Sequence, residues 1–106
     1  MGRDTEIREK IAVIHAKIDQ LNERLKMIPG EIEHLETART QLRDEIIRIT
    51  KRMHERGEIK ESTEYAARAQ NQLRGISRSI DGKLKEQGRI LLEIKKLEQE
   101  RNNLLV

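Results

Sequence analysis

The sequence predicts an all-α protein, a long antiparallel coiled-coil hairpin, for three reasons. Charged residues make up 39% of the 106 residues and Tyr65 is the only aromatic residue, so the bulky side chains of α/β or β-sandwich cores are missing. Two long series of aliphatic residues recur at alternating spacings of four and three. A short segment containing Gly57 separates the two series.

The first series predicts a first arm over residues 5–56. Thirteen of its fourteen positions are apolar, where a 35% hydrophobic composition gives about five by chance. The positions are Ile7, Ile11, Ile14, Ile18, Leu21, Leu25, Ile28, Ile32, Leu35, Arg39, Leu42, Ile46, Ile49 and Met53. Because this stripe is narrow and long, it indicates a coiled-coil seam that requires a partner helix.

Pro29 and Gly30 lie inside this first arm. Proline within a helix costs about 3 kcal/mol and glycine up to about 1 kcal/mol relative to alanine. The heptad phase continues past both residues, so we expect an arm that is kinked at Pro29-Gly30; the alternative is a break that gives three helices. In the expected register Gly88 faces the kink, where its missing side chain would let the backbones approach.

The connecting tip is predicted to comprise residues 57–62. Gly57 is suited to a left-handed C-terminal cap of the first arm, and Ser62 to the start of the second. Because a short connection favours antiparallel helices, we expect the arms to fold back on each other, with Ile14 facing Leu104. The chain is then one domain, residues 1–106.

The second series predicts a second arm over residues 63–105. Eight of its eleven positions are apolar, and the other three are Lys83, Gln87 and Arg101. The apolar positions are Ala69, Leu73, Ile76, Ile80, Ile90, Ile94, Leu97 and Leu104. Leu84 and Leu91 form an offset stripe beside the polar positions, which suggests a local stutter. Seam cations can extend their charged ends to water past an apolar stem. They also weaken a two-helix seam, so association into a homo-oligomer is a reasonable expectation.

No residue pattern predicts catalysis by this chain. There is no cysteine, and His15, His34 and His54 show no metal-ligand spacing, so we expect them to be solvent-exposed. The chain has no glycine-rich phosphate loop or serine–histidine motif, so we expect no enzyme activity and no cofactor or metal of its own. No apolar run approaches about 20 residues and the start is charged, so we expect a cytoplasmic protein without a membrane partner.

Charge is concentrated around the predicted tip. Residues 43–79 carry the entire formal net charge of +3, with nine Lys/Arg against six Asp/Glu. Three acids lie at the tip itself: Glu58, Glu61 and Glu64. A basic collar flanks them, namely Arg48, Arg52, Arg56 and Arg68, and Lys51, Arg74 and Arg78 lie nearby. The plainer interpretation is that helix starts prefer acids and that charged faces keep a coiled coil soluble.

The sequence of residues 57–65, Gly-Glu-Ile-Lys-Glu-Ser-Thr-Glu-Tyr, resembles the tip signature of the bacterial Gre transcript-cleavage factors, G-D-L-x-E-N-x-E-Y. Four residues match outright: Gly57, Glu61, Glu64 and Tyr65. Glu58 and Ile59 are conservative replacements, and Ser62 replaces the family asparagine. Similarity on both sides of this segment extends the resemblance to residues 45–68. Gre factors also have a C-terminal domain that docks them on polymerase, and the resemblance does not extend to that domain.

The resemblance implies a mechanism. In Gre factors the hairpin enters the secondary channel of RNA polymerase, and the tip acids help hold a second Mg²⁺ that activates water to cut backtracked RNA. By position, Glu58 and Glu61 would be directed at this polymerase-bound metal, and any Mg²⁺ would be shared with polymerase. Gly57 and Ser62 would shape the tip, and Tyr65 would brace it.

The same resemblance implies that the basic collar faces nucleic acid or acidic channel walls, so contact with nucleic acid would be indirect, through polymerase. It predicts a Gre-like factor that modulates elongation or promotes transcript cleavage. The alternative is a structural coiled-coil scaffold or prefoldin-like holdase that acts through oligomerisation. Direct nucleic-acid binding by the collar is disfavoured, because acids interleave the cations and stacking aromatics are lacking.

Overall fold

The computed structural model describes residues 2–106, which form two long helices. Helix α1 is Gly2–Glu55 and helix α2 is Ile59–Leu105, and the three residues Arg56–Glu58 connect them. The protein is thus an all-α helical hairpin, as the heptad spacing predicts. Neither helix contains, within residues 2–106, an apolar stretch long enough to cross a bilayer.

Helix α1 continues through Pro29 and Gly30, so the predicted alternative of a break into two helices is wrong. Pro29 itself is exposed, but the preceding Ile28 has no exposed surface at all. Burial of Ile28 favours the helical backbone on the N-terminal side of the proline, which offsets part of the proline penalty. The close approach expected at Gly88 is also wrong, because a Cβ added there would meet nothing within 4 Å.

Two compact units make up the hairpin. Unit 1 combines the part of α1 up to Gly30 with Leu84–Val106, and unit 2 is Glu31–Lys83. Each unit therefore pairs a segment of α1 with a segment of α2, and unit 2 contains the turn.

The core of unit 1 is a small aliphatic cluster. Ile14, Ile18 and Leu97 are buried, and Leu21, Ile94 and Leu104 pack against them. Ile14 and Leu104 thus belong to the same cluster, as the antiparallel register predicts. A two-point ion pair joins the helices of this unit: Arg24 Nε donates to Glu86 Oε2 at 3.0 Å and Arg24 Nη2 to Glu86 Oε1 at 2.7 Å.

The core of unit 2 is a second cluster, closer to the turn. Ile46, Ala69 and Leu73 are buried, and Leu42 and Tyr65 pack against them. Because Ala69 is small, it leaves room for the larger side chains of the opposite helix.

The two cations at seam positions in unit 2 have partners on the opposite helix. Lys83 Nζ lies 2.7 Å from Glu31 Oε1, and Arg39 Nη1 donates a long hydrogen bond of 3.5 Å to Ser77 Oγ. These residues are half-buried, so their polar ends are satisfied at the edge of the seam and do not simply extend into water.

The seam itself follows the predicted spacing along both helices. Every position of both aliphatic series is buried or half-buried, including Lys83 and Gln87. Leu84 is 49% exposed and Leu91 is 53% exposed, so the expected stutter into that offset stripe is wrong. The physical reason is that Lys83 forms an ion pair within the original register, which removes the cost of a cation at the seam.

Candidate functional site at the hairpin turn

The turn begins with a hydrogen-bonded cap on α1. Gly57 has a positive φ of 76°, the left-handed conformation that glycine adopts without steric cost. The Glu58 N–H donates to the Met53 carbonyl at 2.8 Å, and the Gly57 N–H donates to the His54 carbonyl at 3.0 Å. This pair of bonds is a Schellman motif, so Gly57 has the capping position that the sequence predicts.

Helix α2 starts immediately after this cap. The Glu58 carbonyl accepts the Ser62 N–H at 3.0 Å, so Glu58 is the N-cap residue and Ser62 lies inside the helix. The predicted tip of residues 57–62 is therefore too long, and Ser62 does not start the second arm. Ser62 is only 2% exposed, and its small size suits a position where two helices pack closely near a tight turn.

Two of the predicted tip acids lie where α2 begins. Glu58 is the half-buried N-cap residue, and Glu61 is an exposed residue of the first turn, three positions later. Over residues 2–106, neither carboxylate takes part in a hydrogen bond or ion pair. Both are therefore available to accept hydrogen bonds from another molecule or to coordinate a metal ion that it holds.

Glu58 and Glu61 offer two carboxylates to a metal ion. No group of three or more His, Cys, Asp or Glu residues that could hold a metal exists among residues 2–106. Mg²⁺ prefers about six oxygen ligands, so two carboxylates would leave most of its coordination positions to another molecule. The site can contribute ligands to a metal that is held elsewhere.

Tyr65 lies on the stem side of the turn. Its half-buried ring packs against the unit 2 cluster of Ile46, Ala69 and Leu73. Thr63, which precedes it by two residues, donates its hydroxyl to the Ile59 carbonyl at 3.1 Å. The tyrosine therefore packs the start of α2 against α1.

The basic collar is presented to solvent by both helices. Arg48 and Arg52 lie on one side of the last turns of α1, Arg56 follows four residues later in the connection, and Arg68 lies on α2. All four side chains are exposed, and across residues 2–106 none forms an ion pair or side-chain hydrogen bond. The collar is thus a set of unneutralised guanidinium groups next to the turn.

One feature of unit 2 is not predicted by the heptad spacing. An open groove lies beside the seam, with Arg43 and Ile47 on α1 and Arg74 and Arg78 on α2 among its lining residues. Ile47 is 66% exposed because it falls just outside the seam positions. The sequence does contain a signal for this surface. Ile47 lies outside the seam series, and Arg43 lies four residues before it on the same side of α1.

Comparison with known proteins adds no relative. No family model, no curated protein and no solved structure matches this chain. The similarity to Gre factors at residues 57–65 thus stays a prediction, carried by the residues of the turn alone.

Proposed function

We propose that this protein acts on RNA polymerase as a Gre-like factor, entering the secondary channel turn-first and modulating elongation or transcript cleavage. The observation that carries the proposal is the turn: Glu58 ends the hydrogen-bonded connection of three residues, Glu61 lies in the first turn of α2, and neither side chain has an intramolecular partner. Their spacing from Gly57 and Tyr65 is that of the Gre tip signature.

In this proposal the two acids have different physical roles. Glu58 is a half-buried residue whose backbone is held by the cap of α1 and by the start of α2, so the base of its side chain has a fixed position. Glu61 is exposed on the first helical turn and can reorient toward a ligand. Together they would add carboxylate oxygens to a Mg²⁺ whose remaining ligands come from polymerase and RNA.

The basic collar contributes to binding rather than to the metal. Unneutralised arginines attract phosphates and acidic protein surfaces over roughly one Debye length, about 8–10 Å at physiological salt. We expect Arg52, Arg56 and Arg68 to speed the encounter with polymerase and to make the interaction weaken as salt rises.

The decisive measurement is RNA cleavage and elongation by stalled, backtracked polymerase complexes in the presence of this protein. The double variant Glu58→Gln with Glu61→Gln removes both charges and keeps the side-chain size. We expect the parent to change the rate of cleavage or elongation. The change in rate caused by the variant should be at least about ten-fold smaller, since the variant lacks the metal-directed carboxylates.

A matched control is Glu33→Gln with Glu36→Gln. Both residues are exposed on α1 with the same three-residue spacing, so this variant has the same net charge as the tip variant. It should act like the parent, and circular dichroism should give the same helix content for all three proteins. A tip variant as active as the parent, or a parent that does not bind purified polymerase, would show that the proposal is wrong.

A second candidate, a coiled-coil scaffold that acts through self-association, is favoured by one specific observation. Four apolar side chains of α2 in unit 1 are about half or more exposed. Three lie within nine residues of each other, Leu84 at 49%, Leu91 at 53% and Leu92 at 63%, and the fourth is Leu105 at 66%. Such a face is typical of a surface that another helix covers. This candidate does not require the tip acids, which separates it from the first.

A further inference from the structure

The groove of unit 2 has an apolar floor. Ile46 and Leu73 form it, at 9% and 8% exposure, and Ile47 stands at its edge with 66% of its surface exposed. Covering an isoleucine this exposed with another molecule is favourable, because it removes apolar surface from water. The groove therefore favours a partner that brings apolar side chains.

Three arginines surround this floor. Arg43 lies on α1, and Arg74 and Arg78 lie four residues apart on α2. Within residues 2–106, the side chains of Arg43 and Arg78 form no ion pair or hydrogen bond, and the side chain of Arg74 donates only a long bond of 3.4 Å to Asn71 Oδ1. The charge complement of this rim is a set of carboxylates, which arginine can bind with two parallel hydrogen bonds.

The shape of the groove fits a helix. Its two walls are segments of α1 and α2, so a third helix can lay a ridge of side chains between them, as in other helix–helix packing. Apolar residues at every third or fourth position would meet Ile46, Ile47 and Leu73, and acids beside them would reach the arginines. Asp81 lies at the end of the groove furthest from the turn along α2, so we expect the acids of the partner to cluster nearer Arg74.

The same features disfavour nucleic acid as the occupant. No aromatic side chain lines the groove, so bases have nothing to stack on, and Asp81 repels phosphates at one end. An exposed isoleucine makes no favourable contact with a charged phosphate backbone, whereas it commonly contacts apolar side chains in protein–protein interfaces.

We propose that this groove binds one acidic amphipathic helix of a partner protein, with the apolar side on Ile46, Ile47 and Leu73 and the carboxylates on Arg43, Arg74 and Arg78. This surface does not include Glu58 or Glu61, and the inference does not depend on the polymerase proposal. Either proposal can fail while the other stands.

The test is fluorescence anisotropy of a labelled 18-residue peptide of Leu, Glu and Ala, patterned as an amphipathic helix, titrated with the full chain. We expect saturable binding that weakens as salt rises. Arg74→Ala with Arg78→Ala should weaken binding about five-fold, the sum of two exposed ion pairs. Ile47→Asn should weaken it about ten-fold through lost apolar contact.

Two controls separate the groove from general attraction between opposite charges. Arg8→Ala with Arg89→Ala removes the same charge from exposed positions of unit 1 and should change the peptide affinity less than two-fold. A peptide with Lys in place of Glu should not bind. Binding that is equally weakened by both arginine pairs, unaffected by Ile47→Asn, or exceeded by a single-stranded RNA oligonucleotide at the same salt would overturn the proposal.

Discussion

At Gly57 a single backbone angle determines how α1 ends. Its φ of 76° lies in the left-handed region, where an L-residue costs roughly 1–2 kcal/mol. A Cβ at this position would meet nothing within 4 Å, so that cost comes from the backbone alone. We expect Gly57→Ala to lower the free energy of unfolding by about 1 kcal/mol, measured by urea denaturation followed by circular dichroism.

The control for this prediction is a glycine in the opposite situation. Gly75 and Gly82 are helical and exposed, and a Cβ at either would also meet nothing within 4 Å. Alanine there should raise the free energy of unfolding by about 0.5–1 kcal/mol, because it reduces the entropy of the unfolded chain. A stabilising Gly57→Ala would contradict the left-handed assignment.

The turn residues Gly57 and Ser62 show which features of the cap local sequence preferences predict and which they do not. Gly57 is recognisable as a cap because few other residues tolerate its conformation. Ser62 misleads, because serine ranks far above glutamate as an N-cap residue. Here the Schellman bonds of α1 position Glu58 so that its carbonyl already accepts the Ser62 N–H, and the helix starts before the preferred residue is reached. Glu58 thus belongs both to the C-terminal cap of α1 and to the N-terminal cap of α2, and residue propensities alone do not predict this.

Pro29 is the clearest destabilising element in α1. It has no N–H to donate to the Leu25 carbonyl, and its ring crowds the preceding turn. Since Pro29 is exposed, its replacement removes no core contact. We expect Pro29→Ala to raise the free energy of unfolding by up to about 3 kcal/mol, again measured by urea denaturation.

Gln20→Ala is a suitable control, because Gln20 is also exposed within α1 and glutamine is nearly as good a helix former as alanine. It should change stability by only a few tenths of a kcal/mol. If Pro29→Ala has no larger effect than Gln20→Ala, the proline costs the helix nothing and the stability of this segment has another origin.

At the level of elements, the heptad spacing predicts which face of each helix is buried, because the periodicity of side chains on a helix is fixed by geometry. The prediction is wrong at Leu84 and Leu91, because the spacing also predicts a seam through these residues and they are exposed. The partner that keeps Lys83 in the original register is Glu31, on the other helix. Spacing within α2 contains no information about that residue, so the choice between the two stripes is visible only in the folded hairpin.

For the molecule as a whole, the small core raises the question of assembly. The buried apolar residues are aliphatic and few: Ile14, Ile18, Ile28, Ile46, Ala69, Leu73, Ile80, Ile90 and Leu97. A single seam between two helices buries less surface per residue than a globular core, and small scaffolds of this kind often gain stability by association. The exposed leucines of α2 are the natural surface for it.

Sedimentation velocity over a wide concentration range tests this role. If the leucine face holds copies together, Leu84→Gln with Leu91→Gln should shift the protein to monomer, while Glu58→Gln with Glu61→Gln should sediment like the parent. Each leucine removed from such an interface would cost about 1–2 kcal/mol, so the double variant should dissociate at concentrations at least about thirty-fold higher than the parent.

Val13→Gln with Met27→Gln provides the matched control, since these α1 residues of unit 1 are 54% and 60% exposed and equally apolar. Dissociation by this pair as well would mean that association is non-specific. A parent that is monomeric at every concentration would rule out the scaffold role, because a scaffold of this kind needs a second copy. Of the two candidate functions only the polymerase proposal would then remain, and Glu58→Gln with Glu61→Gln is its test, because that proposal requires the acids of the turn.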